Sequence, residues 1–188
     1  MSGTDLTNVL SVNTLAQSPI GPGKRFSTSS KIGDYILGNW QLNNIFTAHT
    51  GQPFTPIISS DIANTGNVGW AGYEHANIVG NPKLANRGPN EFFNTAAYVA
   101  PPAYTFGTAS RNSLRQAGAW NLDTSVFRQF PFWGEGRRIE IRAEAFNLFN
   151  NVVLGTPNDD LNNGSAFGTV NSTFNTSREL QLGGKIIF

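Results

Sequence analysis

Charge is scarce in this chain. Only 13% of its 188 residues are Asp, Glu, Lys or Arg, against about 25% in ordinary soluble proteins. The formal net charge is +1, and no basic cluster exceeds the pairs Lys24-Arg25 and Arg137-Arg138, which excludes nucleic acid as a partner. Cysteine is absent, so there is no disulfide framework and no thiolate metal site. The two histidines, His49 and His75, have no second ligand at a recognisable spacing, and neither metal nor cofactor is expected. Core formers are also few: hydrophobic residues make up 39%, below the usual ~45–50%. No apolar run approaches the ~18 residues that mark a membrane-crossing helix.

What fills the chain instead is 22 Asn, 20 Gly and 10 Pro, together with 14 Phe and 4 Trp. Such punctuation is too dense for long helices. The remaining order has period two, which puts alternate side chains on opposite faces of a strand. In Arg138–Phe146 one face carries Ile139, Ile141, Ala143 and Ala145, the other Arg138, Glu140, Arg142 and Glu144. Similar segments predict antiparallel strands near 6–16, 35–49, 120–130, 138–149 and 178–188, each near the ~9–11 residues of a tilted membrane strand. Within 120–130, Arg128 breaks the apolar face. Ser18–Gly23 and Pro131–Gly136 read as tight links, and 50–119 and 150–177 as long Asn/Gly/Pro-rich loops. Alternating short and long connections match bacterial barrels, with short turns on the periplasmic side and long loops outside the cell. The fold class expected is therefore all-β: up-and-down antiparallel strands of an outer-membrane β-barrel, a partial barrel of about five strands, with lipid as its apolar partner. Five strands leave two edges, so an open sheet with poorly packed loops is expected, closed by further strands or by other copies.

The chain ends Gln181-Leu182-Gly183-Gly184-Lys185-Ile186-Ile187-Phe188. Gln181, Gly183, Ile186 and Phe188 resemble the C-terminal assembly signal of outer-membrane barrels, which implies recognition by the barrel-assembly machinery. Glycine permits bending and close packing. Further motifs follow in order: Gly38-Asn39-Trp40-Gln41-Leu42, Thr50-Gly51-Gln52-Pro53-Phe54, Arg111-Asn112-Ser113-Leu114-Arg115, Trp120-Asn121-Leu122-Asp123 and Arg142–Asn150. Together they resemble the C-terminal barrel of Oar-like TonB-dependent receptors, which carry an N-terminal carboxypeptidase-regulatory-like domain. The likeness covers most of the chain. It implies energised uptake of a nutrient across the outer membrane of a Gram-negative bacterium. It also implies a plug through which TonB acts. Met1–Asp5 does not open an export signal, so the signal, the plug and the other strands are expected upstream of residue 1.

Catalysis has no support. Glu140 and Glu144 are spaced like a carboxylate pair, but Arg138 and Arg142 alternate with them, which reads as a lumen-facing ion-pair ladder. Gly21–Arg25 lacks the first Gly and the final Ser/Thr of a phosphate loop. Asp159-Asp160 reads as a solvated loop pair. No enzyme activity is expected. Trp70, Tyr73, Phe92, Phe93 and Tyr104 are candidate ligand-contacting aromatics of the first loop; the competing reading packs such rings within the loop itself or against the barrel rim. Two other functions remain open at this level: a barrel without TonB coupling, such as a porin or adhesin, and a soluble β-rich carbohydrate-binding module.

Overall fold

The computed structural model describes residues 2–21, 24–26, 30–66, 73–131 and 136–188. In chain order these form β1 (Val9–Gln17), α1 (Lys31–Leu37), β2 (Gln41–His49), β3 (Pro53–Phe54), β4 (Ile57–Ile58), β5 (Glu74–His75), β6 (Asn77–Ile78), β7 (Tyr98–Val99), β8 (Leu114–Arg115), β9 (Ala119–Pro131), β10 (Arg138–Phe146) and β11 (Glu179–Ile187), with 3-10 turns at Thr95–Ala97 and Leu161–Ala166. Contacts divide the chain into a strand unit (9–48, 120–152, 176–188) and a loop unit (1–8, 49–119, 153–175).

The strand unit is one five-stranded sheet in the order β1-β2-β9-β10-β11, an up-and-down meander. β10 runs antiparallel to both neighbours. Ser18 N donates to Trp40 O and Asn44 Nδ2 to Thr14 Oγ1, so β1 and β2 also oppose. The pairs Trp40 with Phe130, Asn44 with Thr124 and Phe46 with Trp120 do the same for β2 and β9. Every neighbouring pair is antiparallel, and the expected all-β class stands.

Two boundaries depart from the alternation. Residues 35–37 are not strand: Ser30 caps a helix whose Gly33 N donates to the Ser30 hydroxyl, and Gly38 ends it by donating to Asp34 O. Seven residues are too short for a helical period to register against the flanking alternation. The link between β1 and β2 is thus a helix-bearing segment and not merely a tight turn. At the far end of β10, strand geometry stops at Phe146 because Asn147 turns left-handed (φ 50°). Its amide N donates to Asp123 Oδ1, its side chain donates to Asn151 O and Thr176 O, and its Oδ1 accepts from Asn151 N. Asn tolerates this backbone conformation better than most residues.

The loop unit overturns the expectation of poorly packed loops. Phe54, Ile58, Phe92, Phe93, Tyr98, Leu114, Phe167 and Val170 form a buried cluster. Phe93 stands 5.8 Å from Phe54, 5.8 Å from Tyr98 and 5.1 Å from Phe167, ring centre to ring centre. Phe167 comes from the second long loop, and the two loops are stitched by Phe92 N to Gly168 O and Val170 N to Pro89 O. Three two-residue ladders, β3–β8, β4–β5 and β6–β7, frame the cluster. At Gly107 the backbone passes so close to the His75 carbonyl that a methyl group would overlap it.

Carboxylates organise the backbone around this core. Asp61 accepts from Thr65 N, Thr65 Oγ1 and Gly66 N, and these donors hold its pKa below the usual carboxylate range. Buried Glu74 accepts from Ile62 N and Ala63 N. Arg115 pairs with Asp5 and donates to Gly51 O, which depresses the Asp5 pKa. Asp159 was expected to be solvated; instead burial raises its pKa, with Asp160 adding a smaller push in the same direction. Asp160 caps the second 3-10 turn, accepting from Asn162 N and from Ser59 N.

Two outcomes follow for the loop unit. Phe93→Ala removes the ring shared by three others and should cost about 3–5 kcal/mol, read as earlier proteolysis within 50–119 and 150–177 on heating. Asp159 works in the opposite sense to Asp5 and Asp61. A raised folded pKa means that ionisation opposes folding, a penalty absent below the unfolded pKa and complete above the folded one. Asp159→Asn should therefore stabilise the unit at neutral pH, with the gain shrinking as pH falls; a pH series of thermal melts reads it directly.

Candidate functional site

The register of the strand unit sorts side chains into two unlike faces. On one, Glu140 lies between Gln129 and Lys185, Arg142 between Phe127 and Gly183, and Glu144 between Ser125 and Gln181. On the other, Ile139 lies between Phe130 and Ile186, Ala143 between Val126 and Leu182, and Ala145 between Thr124 and Leu180. Aliphatic side chains of the edge strand β11 stand exposed, while the central Glu140 is sheltered. Glu140 is 8% exposed, while Leu182 is 86% and Leu180 75% exposed.

Arg142 is the hub of the charged face. Its guanidinium donates to Glu140 Oε1 at 2.9 Å, lies 3.5 Å from Glu144 Oε1 and covers the Phe127 ring at 5.4 Å. Gln129 Nε2 donates to Glu140 Oε2 at 3.0 Å, and Arg138 Nη1 donates to Gln129 Oε1 at 3.3 Å. The expected ladder is therefore a triad, Glu140–Arg142–Glu144, which Arg138 joins through Gln129 and not by an ion pair of its own among the described residues. A hollow of about 330 Å³ runs along Glu140, Arg142, Glu144, Gln181 and Lys185. Both carboxylates pair with Arg142, and Glu140 is held further by Gln129.

Magnitudes decide which face meets lipid. Exposed ion pairs are worth about 0.2–1 kcal/mol, too little to orient a sheet. Turning Arg142 into hydrocarbon near the midplane would cost about 2–4 kcal/mol, with a smaller cost for Arg138 and Lys185 near the strand ends. Desolvation, not pairing, sets the facing.

Aromatic groups bound the apolar face at both ends. Tyr35, Trp40 and Phe130 cluster at one end, with ring centres 5.6 and 6.4 Å from Phe130. Phe46, Trp120 and Phe149 cluster at the other, at 6.5 and 5.9 Å from Trp120. Trp120 and Phe130 share a face of β9 ten residues apart. At ~3.3 Å per residue that is ~33 Å along the strand, or about 25 Å of height at a tilt near 40°, the thickness of an outer-membrane apolar band.

Residues of the C-terminal motif fall on both faces: Gln181 opposite Glu144 and Gly183 opposite Arg142 on the charged side, Ile186 opposite Ile139 on the apolar side. Phe188 follows β11 and is fully exposed. Close packing is not the reason for Gly183 within this chain, since a methyl there would meet nothing within 4 Å.

The first-loop aromatics divide. Phe92 and Phe93 are each 2% exposed and build the core, so they offer no ring to a ligand and the within-loop packing holds for them. Tyr73 and Tyr104 are exposed. Trp70 lies outside the described residues. His49 Nδ1 donates to Thr50 O and His75 Nδ1 to Ala109 O, and no group of three potential metal ligands exists among the described residues. No helix there is long and apolar enough to cross a membrane. Sequence reasoning missed α1 and the turn built on Asn147; the conspicuous signal for α1 was the arginine at position 128, out of place on an apolar face.

Residues 1–181 match the model of a family described as an outer membrane beta barrel domain. The chain belongs to that family, which places it in the outer membrane of a Gram-negative bacterium. No curated protein and no solved structure matches. Membership and the exposed aliphatic band together stand against the soluble carbohydrate-binding module.

Facing can be tested by paired substitutions in adjacent positions of β11. Leu182→Arg should lower folding into lipid by about 2–4 kcal/mol, whereas Gln181→Arg should be near neutral. The fraction of protein that keeps folded mobility on unheated gels measures both.

Proposed function

We propose that these residues are the C-terminal strands of a TonB-dependent receptor that imports a nutrient across the outer membrane. Arg138, Glu140, Arg142 and Glu144 line the lumen in this reading, and the long connections 50–119 and 150–177 are extracellular. Gln181, Gly183, Ile186 and Phe188 present the assembly signal to the barrel-assembly machinery. β1 and β11 flank the sheet with one edge each unpaired among the described residues, and an unpaired edge in lipid costs several kcal/mol per orphaned group. Further strands therefore close the wall around a plug, and TonB acts through that plug. The chain performs no catalysis.

The observation that carries this reading is the two-faced sheet: a charged row centred on the sheltered Glu140 on one face and an exposed aliphatic band on the other. Support for a receptor over a simple pore comes from the co-folded loop unit, which holds Tyr73 and Tyr104 at its surface, and from the ordered motifs shared with the Oar-like group.

Energy coupling separates the alternatives. On a panel of scarce nutrients, deletion of the gene and deletion of TonB should abolish growth on the same source. A gene deletion whose growth defect is independent of TonB would assign the barrel to porins, and a defect in surface attachment alone would assign it to adhesins.

A further inference from the structure

One cation sits on the wrong face. Arg128 pairs with Ile141, which places it in the row of Val126 and Phe130 that the apolar band occupies, yet it is only 2% exposed. Its cover is α1. Arg128 Nη1 donates to Ile36 O at 2.8 Å, and its guanidinium lies 4.4 Å from the Phe130 ring centre and 5.4 Å from that of Tyr35. Trp40 Nε1 donates to the same Ile36 carbonyl at 2.9 Å. The helix thus lies on the apolar face of the sheet, beside the aromatic group Tyr35–Trp40–Phe130 at its end.

What α1 turns outward is apolar. Ile32 is 72% exposed, and Tyr35, Ile36 and Leu37 are each more than half exposed. A helix of this composition facing water would leave four large side chains unburied with nothing gained. Facing the side of a bilayer, the same residues continue the aliphatic band formed by Ile141, Leu182 and Ile186. Lys31 on the helix and Arg25 six residues earlier in the chain are exposed cations, suited to the anionic headgroups that border that band. Tyr and Trp are the residues that favour this boundary.

We propose that α1 is an interfacial helix, seated in the phospholipid leaflet outside the barrel wall, which shields Arg128 from hydrocarbon and ties that end of the sheet to the headgroup layer. Its occupant is phospholipid, not protein. The assignment needs only an outer-membrane barrel and stands apart from TonB coupling. It also accounts for an arginine that would otherwise be costly on this face: Nη1 bonds a backbone carbonyl and the guanidinium lies over two rings, while Nε has no partner among the described residues.

Spin labels test it. Single cysteines at Ile32 and Leu37, a lipid control at Leu182 and a water control at Asn162 are introduced into the full-length protein, reconstituted in vesicles of phosphatidylethanolamine and phosphatidylglycerol. Variants that keep folded gel mobility are then compared for collision with dissolved oxygen, which partitions into lipid, and with a water-soluble nickel chelate. Labels at Ile32 and Leu37 should favour oxygen, as at Leu182, and reverse the preference seen at Asn162. A nickel preference at both helix positions would place α1 in water and overturn the proposal. Immobilised labels shielded from both reagents would show a protein partner or second copy on the helix, and would overturn it equally. If Leu182 itself favoured nickel, the facing of the whole sheet would be wrong, a failure distinct from that of the helix.

Discussion

A sheet one strand thick has no interior, so each of its residues must be matched to one of two environments, and a period of two leaves no third choice. In β10 that constraint places Ile139, Ile141, Ala143 and Ala145 opposite Arg138, Glu140, Arg142 and Glu144. Because the cost of arginine in hydrocarbon exceeds the worth of any surface ion pair, the register of β9, β10 and β11 follows from which side the charges take. A slip of one residue would exchange the two faces entirely. Arg142, flanked by two carboxylates and lying over Phe127, sits where such a slip would be most costly.

The loop unit obeys different rules within the same chain. There a cluster of apolar residues turns inward, as in a soluble domain, and four aromatic rings pack with tilted or edge-on geometry, which suits their quadrupoles. Long connections of this composition need not be mobile. Asn, Asp and Gly satisfy the backbone in place of helices and long ladders: Asp61 and Glu74 bind amides directly, and Asn94 and Asp160 cap short turns. The low charge and low hydrophobic content thus reflect two economical structures, a lipid-facing wall and a small core held by side chain–backbone bonds.

Arg128 illustrates how an exception to a pattern can locate structure. By alternation it belongs to the apolar face, where an uncovered guanidinium would be costly. The short helix α1 resolves the conflict by supplying the Ile36 carbonyl and the Tyr35 ring. A positional anomaly in the strand and an element unforeseen in the preceding link are one feature.

The amino-acid sequence determined the strand pattern, its two faces, the antiparallel meander and the segments that serve as long connections, because period-two alternation and Gly/Asn/Pro breaks are local properties. Only the tertiary structure decided that the loops at 49–119 and 153–175 share one core, since Phe93 and Phe167 are far apart in the chain and meet only on folding. It alone showed that Phe92 and Phe93 are interior, that Asn147 ends β10 by bonding residues up to Thr176, and that seven residues before β2 form a helix. Each of those outcomes depends on partners distant in sequence or on an element of only about two helical turns, and neither leaves a local signature.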